Sequence, residues 1–301
     1  METITNVING LNLFNMQEAY KAVEDAGLKV QKPSIRARVY EAIDKGILKR
    51  IAKGVYKNNK CLLVQGDGRN LSFINDGTID AIITDHPYDI KGSNNGGNRH
   101  FAEYNCFKYT QEDFNEKARV LKNGSFLVEF LPEESAENYE YLYQIKKMAE
   151  NAGFKYYAKV PWKKGDFVSN CGRKSKNTED VLIFSKGEPR TLRIDAKKDK
   201  AEPNVKHFMK GTAGMLPTVF DFSKPNKKDM IHQAEKPTEL LEAIISYITL
   251  EDEIILDQFA GSGALGEACL KTNRKALLIE IAEEFINKIK IRLNMIPCLT
   301  N

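Results

Sequence analysis

A glycine-rich segment near the end of the chain constrains the fold more than any other feature of the sequence. Gly261-Ser262-Gly263-Ala264-Leu265-Gly266 lies between a predicted strand, residues 254–256, and a predicted helix, Ala264–Lys271. Backbone amides at the start of such a helix favour an anionic group. Glu280 closes the next predicted strand, residues 276–279, where a carboxylate can accept both hydroxyls of a ribose. The segment therefore predicts an α/β domain that binds a nucleoside-type cofactor.

The residues before the first glycine distinguish two kinds of nucleoside cofactor. In the dinucleotide-binding fingerprint the first glycine follows the strand directly, whereas here Asp257-Gln258-Phe259-Ala260 intervene. The Asp257 carboxylate can meet a cation, and the amino-acid end of S-adenosylmethionine carries an ammonium group that NAD lacks. Only 21 residues follow Glu280, enough for one helix but not for the rest of a doubly wound sheet. The other strands must come earlier in the chain, in a circularly permuted order.

From Cys61 onward the sequence alternates between predicted strands and predicted helices. The predicted strands are 62–64, 79–84, 125–130, 154–160 and 181–184, and the further predicted helices are 113–121, 138–151, 239–249 and 283–293. This alternation indicates a mostly parallel sheet with helices on both faces. Residues 187–236 break the pattern, because they are rich in Lys, Gly and Pro, and they are predicted to form an irregular insertion.

A second motif, Asp85-His86-Pro87-Tyr88, follows the predicted strand Ile79–Thr84 and so lies at the carboxyl edge of the sheet, where α/β proteins bind ligands. With the segment 257–263 it resembles the motif pair of S-adenosylmethionine-dependent DNA amino-methyltransferases, which methylate adenine N6 or cytosine N4. That family carries (D/N/S)PPY as its catalytic motif and DPFxGSG as its cofactor loop. The motif order is similar to that of its β class, whose HxxxKP segment matches residues 232–237 and whose GD dipeptide matches Gly66-Asp67. The resemblance covers residues 60–295.

The resemblance implies roles for the residues of the catalytic motif. The exocyclic amine of adenine or cytosine is a poor nucleophile because its lone pair is delocalised into the ring. Asp85 and the backbone carbonyl of His86 would accept its two N–H bonds, which aims the lone pair at the methyl group. Tyr88, next to Pro87, would stack on the base, which must be flipped out of the duplex to be reached.

The resemblance also implies how S-adenosylmethionine is bound. Asp257 and Gly261 would hold the methionine end of the cofactor, Glu280 its ribose and Asp67 its adenine. Other matching positions are candidate cofactor-binding residues: Phe259, Ser262, Gly263 and Lys236. The implied fold is an α/β, circularly permuted Rossmann-like methyltransferase sheet over residues 59–301, with a target-recognition insertion at 187–236.

Four positions depart from the family pattern. His86 replaces the first proline of the catalytic motif, which removes the rigid backbone φ and adds an imidazole near the base. Gln258 replaces the proline of the cofactor loop, and Ala264-Leu265 replace the common Thr-Thr pair. The aspartate at the head of the motif resembles adenine-N6 enzymes more than cytosine-N4 enzymes, so adenine is favoured. The alternatives are a cytosine-N4 enzyme, a DNA-binding regulator with an inactive methyltransferase domain, and methylation of RNA or another acceptor.

Charge is distributed unevenly along the chain. The net charge is +4, but residues 29–60 contain ten Lys or Arg against Glu41 and Asp44, so this segment is +8 and the rest is −4. A helix is predicted from Phe14 to Asp25, and a basic helix from Pro33 to Gly46 is followed by a basic hairpin that turns at Ala52-Lys53. This is the order of a winged helix-turn-helix, so residues 1–58 are predicted to be a small DNA-binding unit. Candidate DNA contacts in this unit and in the insertion are Arg36, Arg38, Lys49, Arg50, Lys53, Arg190, Arg193, Lys197 and Lys198.

Composition excludes several classes of protein. No run of about 18 apolar residues could span a membrane, and residues 1–4 do not begin a signal peptide. The five cysteines lie far apart and never as CxxC, which fits a reducing cytoplasm and predicts no bound metal. The expected partner is double-stranded DNA, in a cytoplasmic protein associated with the nucleoid. A homodimer and a partner nuclease stay open. The loop 94–101 either closes over DNA or is an ordinary surface loop, and both roles stay open. Trp162 is either a core residue or a DNA contact.

Overall fold

The computed structural model describes residues 3–11, 13–44, 48–58, 60–88, 106–165, 177–192, 216–226, 228, 230–232 and 234–295. The chain divides into two compact units, of which the first comprises Met1–Gly68, Pro225–Ile245 and Glu251–Asn301 and the second Arg69–Lys224 and Ser246–Leu250. None of the described helices is both long and apolar enough to cross a membrane.

Helices and strands alternate along most of the chain. The helices are α1 (Ile4–Gly10), α2 (Met16–Asp25), α3 (Lys32–Asp44), α4 (Gln111–Val120), α5 (Tyr139–Asn151), α6 (Thr238–Ile248), α7 (Ala264–Lys271) and α8 (Glu283–Arg292). The strands are β1 (Leu13–Asn15), β2 (Leu48–Ala52), β3 (Val55–Asn58), β4 (Cys61–Gln65), β5 (Ile79–Thr84), β6 (Leu121–Pro132), β7 (Phe154–Lys163), β8 (Thr178–Lys186), β9 (Phe220–Asp221), β10 (Ile254–Asp257) and β11 (Lys275–Glu280).

The N-terminal part of the first unit has its own antiparallel sheet, in the order β1-β3-β2, and its own apolar core. The prediction of a helix from Phe14 to Asp25 was wrong at its start. Phe14 lies in β1 opposite Tyr56 of β3, and Asn15 caps α2 by accepting the N–H groups of Gln17 and Glu18. An N-cap residue has non-helical backbone, so the helix begins after it. The hairpin turns at Lys53-Gly54, one position later than predicted, and α1 was not predicted.

The rest of the first unit is an α/β structure built from both ends of the chain. Strand β11 pairs in parallel with β10 on one side and with β4 on the other. This strand order confirms the predicted circular permutation, because β4 comes from the early part of the chain whereas its partner β11 comes from near the end. Residues 62–64 were predicted to be a buried strand, but β4 is an edge strand and Leu62 is 60% exposed. An apolar run alone does not tell an edge strand from a central one.

Of the strands predicted from the sequence, β5 is the most deeply buried, and it lies in the second unit. All six residues of β5 are buried, and β5 pairs in parallel with β6. The described strand pairings outside the N-terminal sheet are parallel except at β8, which runs antiparallel to both β6 and β7. Strand β6 begins at Leu121 rather than at Ser125, and its register with β5 shifts between Ile79 and Ala81. The predicted α/β class is thereby confirmed.

Candidate active site

The glycine segment has the backbone shape that the sequence predicts. Strand β10 ends at Asp257, and α7 begins at Ala264, one residue after Gly263. Gly261 and Gly263 have φ values of 50° and 76°, a region that L side chains rarely adopt, so glycine is favoured at both positions. A Cβ on Gly263 would also lie 3.0 Å from Cγ2 of Ile289. The loop therefore packs closely on α8, and the first backbone amides of α7 have no acceptor inside the helix.

Glu280 lies beside this loop, as the sequence predicts. Its carboxylate accepts the N–H of Gly261 (2.8 Å, N to Oε2) and the N–H of Ala282 (2.9 Å, N to Oε1). Burial raises the pKa of Glu280, although these two backbone N–H groups oppose the shift. Each carboxylate oxygen keeps a second acceptor site. A buried acceptor pair with this geometry fits a diol.

The turn after β4 packs against the cofactor loop. Gln258 donates from its side-chain amide to the carbonyl oxygen of Gly68 (2.7 Å, Nε2 to O). A Cβ on Gly68 would lie only 1.8 Å from the carbonyl oxygen of Gln258, so no side chain fits there. Asp67, the residue before Gly68, is exposed. In the sequence, Gln258 is recognisable only as a replacement for the proline of the family's cofactor loop. Its hydrogen bond to Gly68 could not be predicted.

The segment 232–237 is anchored to the loop by residues that the motif did not single out. Glu235 is buried and forms an ion pair with Arg292 of α8 (2.6 Å, Oε1 to Nη1), which also contacts Glu267 of α7 (2.7 Å, Nε to Oε2). His232 packs edge-on against Phe285, and burial lowers the pKa of its imidazole. Lys236, a predicted cofactor residue, is half-buried, and its ammonium lies 3.4 Å from the carbonyl oxygen of Ala234.

The donor and acceptor set of this unit fits S-adenosylmethionine. The Glu280 carboxylate has two acceptor oxygens, which is what a ribose diol needs, and Asp257 carries a carboxylate, which is the chemistry that suits an ammonium group. The side-chain oxygen of Gln258 is buried and accepts no hydrogen bond from the residues that the structure describes. Where the turn after β4 packs against the cofactor loop, there is no room for a side chain at Gly68. These features are those of a site shaped for a nucleoside with a cationic end.

The catalytic motif lies in the second unit, directly after β5. Asp85, Pro87 and Tyr88 are half-buried, whereas His86 is 1% exposed. The segment is tied to a later part of the same unit, since the N–H of Phe107 donates to the carbonyl of Pro87 (3.0 Å, N to O) and Tyr88 forms an isolated parallel β-bridge with Phe107. His86 is thus buried between two neighbours, Asp85 and Pro87, that are partly exposed.

The imidazole of His86 is enclosed by aromatic side chains. Its ring centroid lies 4.0 Å from that of Tyr109, and its Nε2 lies 2.8 Å from the hydroxyl oxygen of Tyr141. The buried residues Glu129 and Lys117 complete the surroundings. Sequence reasoning noted the histidine but missed its partners. The one available signal was a glutamate inside the apolar strand segment 126–130.

A family model described as DNA methylase, N6_N4_Mtase, matches residues 79–291. The chain belongs to the N6/N4 family of DNA methylases. Family membership confirms the predicted class, which uses S-adenosylmethionine as its methyl donor.

Individual relatives agree with this assignment. The type II methyltransferase M.HpaI of Haemophilus parainfluenzae is 28% identical over 231 residues, which are 74% of this chain and 71% of that protein. The solved M1.HpyAVI–SAM complex is 24% identical, with a TM-score of 0.53, and the match covers 78% of this chain and 99% of that one. PvuII DNA methyltransferase, described as cytosine-N4-specific, is 16% identical, with a TM-score of 0.57 and coverages of 81% and 89%. These structural likenesses confirm the fold.

The predicted DNA contacts of this methylase divide into three groups. The N-terminal candidates have exposed side chains: Arg36, Arg38, Lys49, Arg50 and Lys53. Arg190 instead is half-buried and donates to the carbonyl of Ile248 (3.3 Å, Nη2 to O). Arg193, Lys197, Lys198, the loop 94–101 and most of the insertion 187–236 lie outside the described residues. As a DNA contact, each of these residues stays a prediction.

The environment of Trp162 decides between its two predicted roles, a core residue or a DNA contact. Its side chain is 1% exposed, and its indole N–H donates to the carbonyl of Phe222 (2.8 Å, Nε1 to O). A fully buried indole cannot stack on a base, so Trp162 is a core residue of the second unit.

Proposed function

We propose that this methylase transfers the methyl group of S-adenosylmethionine to the N6 amine of adenine in duplex DNA. The observation that carries the proposal is the Asp85-His86-Pro87-Tyr88 segment, which directly follows the fully buried strand β5. Its acidic and aromatic side chains, Asp85 and Tyr88, are partly exposed, whereas its imidazole is buried. The aspartate at the head of the motif favours adenine over cytosine.

The chemistry depends on hydrogen-bond acceptors held in fixed positions. The carboxylate of Asp85 and the carbonyl of His86 accept the two N–H bonds of the amine, which draws the nitrogen toward tetrahedral geometry. The same acceptors stabilise the positive charge that develops on nitrogen as the new bond forms. Tyr88 stacks on the base after it has been flipped out of the duplex. The cofactor, when bound, supplies an electrophilic methyl group.

The first unit is proposed to bind the cofactor. Glu280 accepts the ribose hydroxyls, Asp67 contacts the adenine, and Asp257 with Gly261 holds the methionine end. The support for these roles is the bond of Glu280 to Gly261 and the close packing of the Gly68 turn on the cofactor loop. The remaining candidates line the same segments: Phe259, Ser262, Gly263 and Lys236.

Residues 1–58 are proposed to be a winged helix-turn-helix unit that binds DNA. The order α1-β1-α2-α3-β2-β3, with β2 and β3 as an antiparallel hairpin, supports this proposal. Helix α3 buries Ile35 and Val39 and leaves Arg36 and Arg38 exposed. Exposed basic side chains on a helix and hairpin attract DNA phosphates regardless of sequence.

A cytosine-N4 activity is the second candidate, because a cytosine-N4-specific methyltransferase shares the fold. The test is transfer from labelled S-adenosylmethionine to mixed-sequence duplex DNA, with the modified nucleosides resolved by mass spectrometry. The expected product is N6-methyladenine, and Asp85→Ala is expected to lower its rate by about 100-fold or more. Asp76→Ala, which removes an 80% exposed carboxylate from the same unit, is the matched control.

Two outcomes would change the proposal. N4-methylcytosine as the product would retain the mechanism and overturn the choice of base. Cofactor binding without methyl transfer to duplex DNA would favour a DNA-binding regulator with an inactive domain or, if single-stranded RNA is methylated instead, an RNA methyltransferase.

A further inference from the structure

A completely buried ion pair lies close to the catalytic motif. Lys117 of α4 and Glu129 of β6 are paired, and both side chains are 0% exposed. The Lys117 ammonium lies 3.6 Å from the ring centroid of Tyr109, and the Tyr109 hydroxyl donates to Glu129 (3.3 Å, Oη to Oε2). Burial alone would raise the pKa of Glu129, but Lys117 and His86 hold it below its ordinary value. Glu129 is therefore a permanent buried anion at neutral pH.

The imidazole of His86 lies between this anion and a tyrosine hydroxyl. Its Nε2 is 2.8 Å from the hydroxyl oxygen of Tyr141, which also accepts the backbone N–H of Tyr109 (3.1 Å). Burial raises the pKa of Tyr141, so its hydroxyl keeps its proton and can donate it to Nε2. The ring proton then belongs on Nδ1, which lies 3.7 Å from Oε2 of Glu129 and has no hydrogen-bond partner among the described residues. This tautomer is assigned from the network of donors and acceptors.

Stability alone does not explain this arrangement. A buried ion pair costs several kcal/mol of desolvation per ion, and apolar residues of similar volume often stabilise a protein equally well or better. What the cluster achieves locally is orientation: a hydroxyl lies at Nε2 of the His86 ring and an anion at Nδ1, and the Tyr109 ring packs against it at 4.0 Å between centroids with a tilt of 34°. The ring stands where the family motif has a proline, whose side chain restricts the backbone by itself.

We propose that His86 is a positioning residue, whose side chain is held by Glu129 and Tyr141 so that its own carbonyl and the adjacent Asp85 stay aligned for the target amine. The inference rests on the proposed function, in which these two acceptors bind the amine. Lys117 acts one step further away, by keeping Glu129 charged and in place.

The test compares two double variants that differ only in the acceptor at position 129. Both Lys117→Met/Glu129→Gln and Lys117→Met/Glu129→Leu remove the buried charges, so neither leaves an unpaired ion. The Gln variant keeps an oxygen facing Nδ1 of His86, and the Leu variant does not. We expect the Leu variant to lose about 10- to 100-fold in kcat with the KM for S-adenosylmethionine unchanged, and the Gln variant to regain most of that loss. Equal kcat values in two folded variants would overturn the proposal.

A second measurement does not depend on activity. Hydrogen exchange of the peptide spanning residues 79–88 is expected to be faster in the Leu variant than in the Gln variant. Tyr141→Phe removes the hydroxyl that contacts Nε2 and should also speed exchange of this peptide. It provides the test if the Leu variant does not fold. Unchanged exchange in Tyr141→Phe would contradict the positioning role. If the wild-type protein transfers no methyl group, the proposed function fails, while the exchange comparison still decides whether the cluster holds the motif.

Discussion

Two polar side chains stand where the family pattern has prolines, and both are almost completely buried. Gln258 is 2% exposed and donates to Gly68, and His86 is 1% exposed and lies against Tyr141. A buried polar group costs free energy unless it is hydrogen-bonded, so each substitution came with specific partners. Gly68 follows Asp67 in the chain and His86 follows Asp85, so each hydrogen bond involves a direct neighbour of a predicted functional residue. The two departures thus replace the stiffness of proline by hydrogen bonding.

The packing of Gly68 against Gln258 can be tested with a matched pair of alanine variants. Gly68→Ala would bring a Cβ to 1.8 Å from a backbone carbonyl oxygen, whereas Gly66→Ala meets nothing within 4 Å. Because backbone must move to admit the first methyl group, we expect Gly68→Ala to lose about 3 kcal/mol of stability. Its affinity for S-adenosylmethionine should fall at least tenfold, which is about 1.4 kcal/mol. Calorimetry and cofactor titration measure both. Wild-type affinity in Gly68→Ala would show that this turn does not shape the cofactor site.

At the scale of elements, helix α3 shows how one helix can serve both packing and recognition. Its buried positions, Ile35, Val39 and Ala42, recur every three or four residues and pack into the N-terminal core. The positions between them carry Arg36, which donates to the Tyr20 hydroxyl, and Arg38, which pairs with Glu41. Both guanidinium groups are partnered, yet both side chains remain exposed to solvent. Partners of this kind orient an arginine without removing it from reach of a phosphate.

The salt dependence of DNA binding tests the role of α3. Replacing Arg36 and Arg38 by alanine should weaken binding to duplex DNA of any sequence, because phosphate contacts carry no sequence information. The slope of log K against log salt concentration should become shallower by about 2, or about 1 for each lost phosphate contact. Lys147→Ala/Lys155→Ala removes two exposed lysines from the second unit and is the matched control. An unchanged slope in the α3 variant would assign DNA binding to another part of the chain.

Three carboxylates in different parts of the described structure are paired with cations. Asp113 pairs with Arg69, Glu129 with Lys117 and Glu267 with Arg292. Burial alone would raise the pKa of each carboxyl, but the paired cations hold all three below their ordinary values. Since an unfolded chain binds protons at these carboxylates more readily than the folded chain does, acid favours unfolding.

The Asp113–Arg69 pair makes this effect measurable. The folded-state pKa of Asp113 lies below its ordinary value of 3.8, so its contribution to stability is present above about pH 4 and is lost as the pH falls through the folded-state pKa. We expect Asp113→Asn to be less stable than wild type at pH 7 and to lose less stability between pH 5 and about pH 3. Urea unfolding at several pH values gives both quantities. Glu188→Gln, at an 83% exposed carboxylate, is the control, and parallel curves for wild type and Asp113→Asn would refute the assignment.

Much of the fold and the identity of both motifs could be predicted from the sequence. Periodic apolar runs and glycine stops located most helices and strands of the α/β region, and Gly261, Gly263 and Glu280 were singled out by type and spacing. Such features are local, because a glycine at positive φ or an apolar run is determined by its own neighbours in the chain. The same reasoning misjudged β4 and β1, where exposure and strand pairing depend on residues far away in sequence.

The sequence by itself determined the family of this protein, its cofactor class and the residues that carry the two motifs. Only the tertiary structure decided what surrounds them: that Gln258 bonds to Gly68, that Arg292 anchors Glu235, and that His86 faces a buried carboxylate on β6. These contacts join residues that are 190, 57 and 43 positions apart in the chain. A motif records the groups that the chemistry needs, whereas the groups that hold it in place are chosen by packing, which no local pattern encodes.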